Sequence, residues 1–100
     1  MKRSLTLVIL LTALLPTLAY ARSGEEVYEK TCLSCHKFGI AGAPKFGNSD
    51  DWAPRVKKGM DALYDSALNG KGAMPAKGGN RVLTDEEVKA AVDYMVEHSK

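Results

Sequence analysis

Apolar residues are spaced in three different ways along the chain. From Leu5 to Leu15 they run almost unbroken, with only Thr6 and Thr12 intervening. From Ser23 onward they thin out and become periodic. After Gly59, Met60, Leu63, Tyr64, Ala67 and Leu68 repeat at the i, i+3, i+4, i+7 and i+8 spacing of one helical face, stopped by Asn69-Gly70. Val88, Ala91, Val92 and Met95 make a second such stripe. It is opened by Thr84 as N-cap and Glu87 at N3, with Leu83 and Val88 spaced as a hydrophobic staple.

Ser23-Gly24-Glu25-Glu26 carries the same capping-box signal and predicts a first helix running to about Lys37. Asn48 or Ser49 can cap a short helix with Asp50 and Asp51 in its first turn, where Pro54 is tolerated as a residue near the start. Between these helices lie two aperiodic stretches rich in glycine and proline, residues 39–47 and 70–80. No segment alternates as a strand. The expectation is an all-α domain of about four helices with two long loops, and such loops usually wrap something or carry function.

The unbroken run is set apart by its flanks. Lys2 and Arg3 precede it, Pro16 breaks it, and Ala19-Tyr20-Ala21 puts small residues three and one before a cut. Residues 1–21 therefore read as a secretory signal peptide cleaved before Arg22, and residues 22–100 as the mature domain. The run is too short to span a bilayer, so no membrane-spanning mature form is expected.

Removing the leader changes the composition. Of the 100 residues, 12 are acidic and all follow residue 21, balanced there by 12 basic ones. A neutral small domain lacks the basic excess of a non-specific nucleic-acid binder. It also lacks the size for a multidomain enzyme, and a chain this short usually needs a staple, a metal or a cofactor to complete its core.

The cofactor signal is Cys32-Leu33-Ser34-Cys35-His36, the CxxCH attachment signature of c-type haem. On a helix the two cysteines and the histidine fall at i, i+3 and i+4, on one face. The thiols can then reach the vinyl groups of one porphyrin edge while the imidazole reaches the iron. A zinc site needs four ligands, and the chain holds only 2 Cys and 2 His. A thioredoxin-like CxxC needs a βαβ surround, which the pattern does not provide. A Cys32–Cys35 disulfide would close a loop too small to stabilise much.

Met60, Met74, Met95 and His98 are the candidates for the sixth iron position. Met60 and Met95 belong to core stripes, and His98 sits at a fraying terminus. Met74, in an aperiodic loop before Pro75, is the first choice and His98 the second. Trp52 and Arg55 are chemically suited to bind haem propionates, with packing and solvation as the plainer alternatives.

Residues 22–100 resemble a class I c-type cytochrome over essentially their whole length, most narrowly bacterial cytochrome c5. The likeness is carried by GEEVYEKTCLSCH, GIAGAPKFG, DDWAPRVKKGMDALYDSALNGKGAMPAKGGN and LTDEEVKAAVDYMVEHSK. It implies a class I fold around one covalently bound haem c, with iron ligated by His36 and Met74. It implies that the Pro44 carbonyl accepts a hydrogen bond from His36, and that Gly24, Tyr28 and Tyr94 form the crossing of first and last helices. It implies a periplasmic electron carrier rather than an enzyme, a monomer that exchanges electrons with redox protein partners of the respiratory chain. The second cysteine pair of some such cytochromes is absent, since GGNRVL stands in its place. Basic residues concentrate in 37–81 and acidic ones in the last helix, a dipole suited to partners with acidic docking surfaces. Lys37, Lys45, Lys71 and Lys77 are the expected cations around the haem edge.

Overall fold

The computed structural model describes residues 2–12 and 20–100. The signal-peptide reading therefore falls partly outside the described residues, since Met1, Pro16 and Ala19 are not among them. No described helix is long and apolar enough to cross a membrane.

The domain is helical, with no strand among the described residues. It begins with one continuous helical run made of α1 (Gly24–Val27), a π-helical turn (Tyr28–Cys32) and α2 (Leu33–His36). Then follow α3 (Ser49–Val56), α4 (Met60–Asn69) and α5 (Asp85–Glu97). Short 3₁₀ turns at Ile40–Gly42 and Ala76–Gly79 punctuate the two loops.

Local sequence accounts for most boundaries. Ser23 accepts from the Glu26 N–H at 3.2 Å and caps α1. The reciprocal half of that capping box is not formed, because Glu26 turns outward to Lys30 at 3.1 Å. The second box closes both ways: Thr84 Oγ1 accepts from the Glu87 N–H at 3.1 Å, and Glu87 Oε1 from the Thr84 N–H at 3.0 Å. Asn48, not Ser49, caps α3. Pro54 stands deep in that helix rather than near its start. Pro54 has no N–H to donate to the Asp50 carbonyl, and the Arg55 guanidinium donates to the Asp51 carbonyl at 2.6 Å.

The core forms where α5 crosses the first helical run. Val27, Tyr28, Val88, Ala91, Val92 and Met95 are buried there, joined by Leu83, Trp52 and Ala67. Gly24 lets the two backbones touch, and Tyr94 lies across from Tyr28 with ring centroids 5.5 Å apart. The π turn was not legible in the spacing. It makes room for one extra residue between the crossing and the cysteines, and such turns recur at functional sites.

Candidate haem site

The helical run, α3, α4 and the second loop enclose a cavity of about 410 Å³. Cys32, Cys35 and His36 line one side and Met74 lines it from the second loop. The i, i+3, i+4 geometry thus presents both thiols and the imidazole to one space. Apolar positions supply much of the wall, including Leu63 and Ala67 of α4 and Val92 and Met95 of α5.

His36 is 7% exposed. Its Nδ1 lies 2.9 Å from the Pro44 carbonyl oxygen, which can only accept, so Nδ1 carries a proton, and in the neutral ring Nε2 is the nitrogen with the lone pair. The same segment is tied back to the helix, since the Phe46 N–H donates to the His36 carbonyl at 2.7 Å. Burial, and then the neighbouring Cys35, pushes the Cys32 thiol up to about 11. A thiol held protonated is a weak nucleophile for disulfide exchange.

Met74 sits in a tight turn closed by two backbone bonds: Lys71 N–H to Met74 carbonyl and Met74 N–H to Lys71 carbonyl, each 3.0 Å. Gly70 permits it, because at φ +87° a Cβ would stand 2.9 Å from the Met74 carbonyl oxygen. The turn is further fixed where Lys77 binds the Leu83 carbonyl at 2.7 Å and Asp85 at 3.0 Å.

Other expectations are sorted by the same geometry. His98 is not among the lining residues; its ring stacks on Phe46 at a centroid distance of 5.8 Å and lies tilted against Tyr94 at 4.3 Å. Met60 is likewise outside the lining, whereas Met95, a core residue by its spacing, forms part of the wall. Trp52 lines the cavity, but its indole N–H donates to the Lys45 carbonyl at 2.9 Å, so this donor is not free for a propionate. Arg55 also lines it, with donors directed at the Asp51 and Gly42 carbonyls. The lining cations are Arg55, Lys58 and Lys71, the last of them one of the four expected around the haem edge. Lys37 and Lys45 lie outside the lining and Lys77 is paired with Asp85.

A family model described as cytochrome C oxidase, cbb3-type, subunit III, matches residues 19–95. The chain is 49% identical over 84 residues to cytochrome c-555 of Chlorobaculum tepidum, covering 80% of this chain and 78% of that one. The chain belongs to the class I c-type cytochromes. With cytochrome c5 of Azotobacter vinelandii it shares 44% identity over 77 residues, covering 75% of this chain and 93% of the relative. A mono-haem ferrocytochrome c from Shewanella putrefaciens superposes with a TM-score of 0.68 at 44% identity, over 82% of this chain and all of that one. A chain from an electron-transfer complex of nitrite reductase with cytochrome c superposes at 0.73 and 43% identity, over 77% and 94% of the two chains. This cytochrome accordingly holds one covalently bound haem c. Its donor set fits that group, with two thiols and one imidazole nitrogen on one helix face, a thioether on a separate loop, and an apolar wall between.

Proposed function

We propose that this cytochrome is a periplasmic single-electron carrier that serves respiratory redox proteins, its haem held through Cys32 and Cys35 and its iron ligated by His36 and Met74. One observation carries the reading: the four groups line a single cavity from two sides. When bound, haem c supplies one-electron chemistry at iron, and imidazole–thioether ligation raises the reduction potential.

The chain's own residues do the rest. The Pro44 carbonyl fixes the imidazole tautomer and leaves Nε2 as the ligating atom. The Lys71–Met74 bridge fixes the backbone turn that carries the thioether, which would present Met74 to the iron. Leu63, Ala67, Val92 and Met95 exclude water and keep the surroundings apolar. No acid–base pair or substrate pocket beyond this cavity is required.

Arg55, Lys58 and Lys71 line the cavity, near the exposed Ile40. That combination suits brief docking against an acidic surface, in keeping with the nitrite reductase complex of the related structure. The periplasmic location rests on the leader layout of residues 1–21.

A redox titration followed by optical spectra tests the proposal. The expected result is one reversible one-electron transition, with a weak near-infrared band of the Fe–Met bond in the oxidised protein. Absence of that band, or ready carbon monoxide binding at neutral pH, would overturn the ligand assignment and favour a sensor or peroxidase.

A further inference from the structure

The peptide unit joining Pro44 and Lys45 is hydrogen-bonded at both ends. Its carbonyl accepts from His36 Nδ1–H at 2.9 Å, and its N–H donates to Asp51 Oδ2 at 3.1 Å. We infer that Asp51 tunes the haem iron through this peptide, as a positioning residue acting on His36 from two hydrogen bonds away. The inference rests on the reading of His36 as iron ligand.

The physics is that of a polarised chain. A carboxylate at the N–H end of an amide draws electron density toward its carbonyl oxygen and makes it a better acceptor. The imidazole proton is then held more tightly, and the ring becomes a stronger donor through Nε2. A stronger donor favours the more positive, oxidised iron, so Asp51 lowers the reduction potential.

The surroundings keep this chain in register. The Asp51 N–H is capped by Asn48 Oδ1 at 3.0 Å, which fixes the residue at the start of α3. Its carboxylate is thereby free to reach back to the loop. On the far side the Lys45 carbonyl is held by the Trp52 indole at 2.9 Å. The Gly47 N–H donates to Ser99 Oγ at 2.8 Å. Arg55 binds the main-chain carbonyl of Asp51 at 2.6 Å, and among the described residues the Asp51 carboxylate forms no ion pair. Its charge is therefore directed at the peptide.

An ordinary alternative is that Asp51 serves only the helix dipole of α3, as its neighbour Asp50 does. The holoprotein variants Asp51→Asn and Asp50→Asn separate the two, because each removes one charge from the same turn and only one touches the peptide. Two quantities are measured: the oxidised-to-reduced ratio at fixed ambient potential, and the solvent exchange rate of the His36 Nδ1–H by nuclear magnetic resonance. Asp51→Asn is expected to shift the ratio about threefold toward the reduced form, ~28 mV at 59 mV per tenfold, and to speed the exchange. Asp50→Asn should leave the exchange rate unchanged and shift the ratio less. Asp51→Glu keeps the charge, and its ratio should return toward wild type. Equal responses of Asp51→Asn and Asp50→Asn in both measurements would overturn the role of Asp51 alone. Lack of hyperfine-shifted His36 ring resonances in the oxidised wild type would instead overturn the ligation reading beneath it.

Discussion

Gly24 lies so close to Ala90 that a Cβ on the glycine would stand 2.2 Å from the Ala90 carbonyl oxygen. The contact is backbone against backbone, so no side-chain rotation relieves it. Gly24→Ala should force α1 away from α5 and loosen the Tyr28–Tyr94 packing beside it. Overpacking of this kind costs about 1–3 kcal/mol, and the upper end is expected here because neither partner can yield. Urea unfolding of the holoprotein measures it. A loss below about 0.5 kcal/mol, the ordinary range for a surface substitution, would contradict so close a crossing.

Met74 and Met95 both line the cavity, but only Met74 is presented by a loop. Met74→Ala should abolish the near-infrared band, open the iron to carbon monoxide and lower the reduction potential. Met95→Leu conserves volume, should cost less than about 1.5 kcal/mol, and should leave the band intact. The assignment reverses if Met95→Leu loses the band while Met74→Ala keeps it.

The helices and the CxxCH face were readable because each depends on local spacing and capping residues. Thr84 and Glu87 sit three apart and close their box as written. Glu26 has the same spacing from Ser23 yet bonds Lys30 instead, because Lys30 one turn onward competes for it. Pairings across the fold left no such trace. The indole of Trp52 has one donor, and only the folded loop shows that the Lys45 carbonyl takes it. Nothing in the spacing marks the π turn at Tyr28–Cys32 either, since an inserted residue leaves the apolar pattern readable as an ordinary helix. Ion pairing across the fold leaves no trace in the spacing either. Lys77 is committed to Asp85, a residue on another element.

Tyr64 joins α4 to α5 by donating its hydroxyl to Asp93. That bond, with smaller contributions from burial and from the charges of Asp93 and Asp61, pushes the phenol from 10.0 up to about 12. A pKa raised on folding contributes stability that is fully present below about pH 10 and lost as pH climbs through about 12. Tyr64→Phe keeps the ring and removes the hydroxyl. The urea midpoint of wild type should therefore fall more steeply over that alkaline window than the midpoint of the variant. Parallel curves would show that the bond does not persist in solution.

Arg22 donates its main-chain N–H to Glu87 Oε2 at 2.9 Å. Together with the Thr84 N–H, the larger influence, this holds the Glu87 carboxyl below its ordinary 4.5. A pKa lowered on folding gives stability present above the unfolded value and lost as pH falls through the folded one. Cleavage before Arg22 would turn this N–H into an α-ammonium facing the carboxylate. The mature protein should then be more stable to urea at neutral pH than a precursor that retains residues 1–21, and Glu87→Gln should shrink the difference. N-terminal sequencing of the exported protein should begin at Arg22; a later start removes the pairing altogether.

Trp52 packs beside His36, with ring centroids 6.0 Å apart, and donates to the Lys45 carbonyl at 2.9 Å. Trp52→Phe keeps an aromatic ring in the wall and deletes the donor. The Lys45 carbonyl also accepts from the Asn48 N–H at 3.0 Å, so it is not left wholly unsatisfied. The expected loss is that of one hydrogen bond, about 1 kcal/mol. The reduction potential should move less than in Asp51→Asn, because the indole grips the carbonyl one peptide beyond the unit that His36 touches. A direct bond from the indole to a propionate predicts otherwise. Removing it would leave a haem carboxylate without a donor and shift the potential by more than the Asp51 substitution does. Comparing the two variants by potential and by urea midpoint therefore decides whether Trp52 serves the loop or the haem.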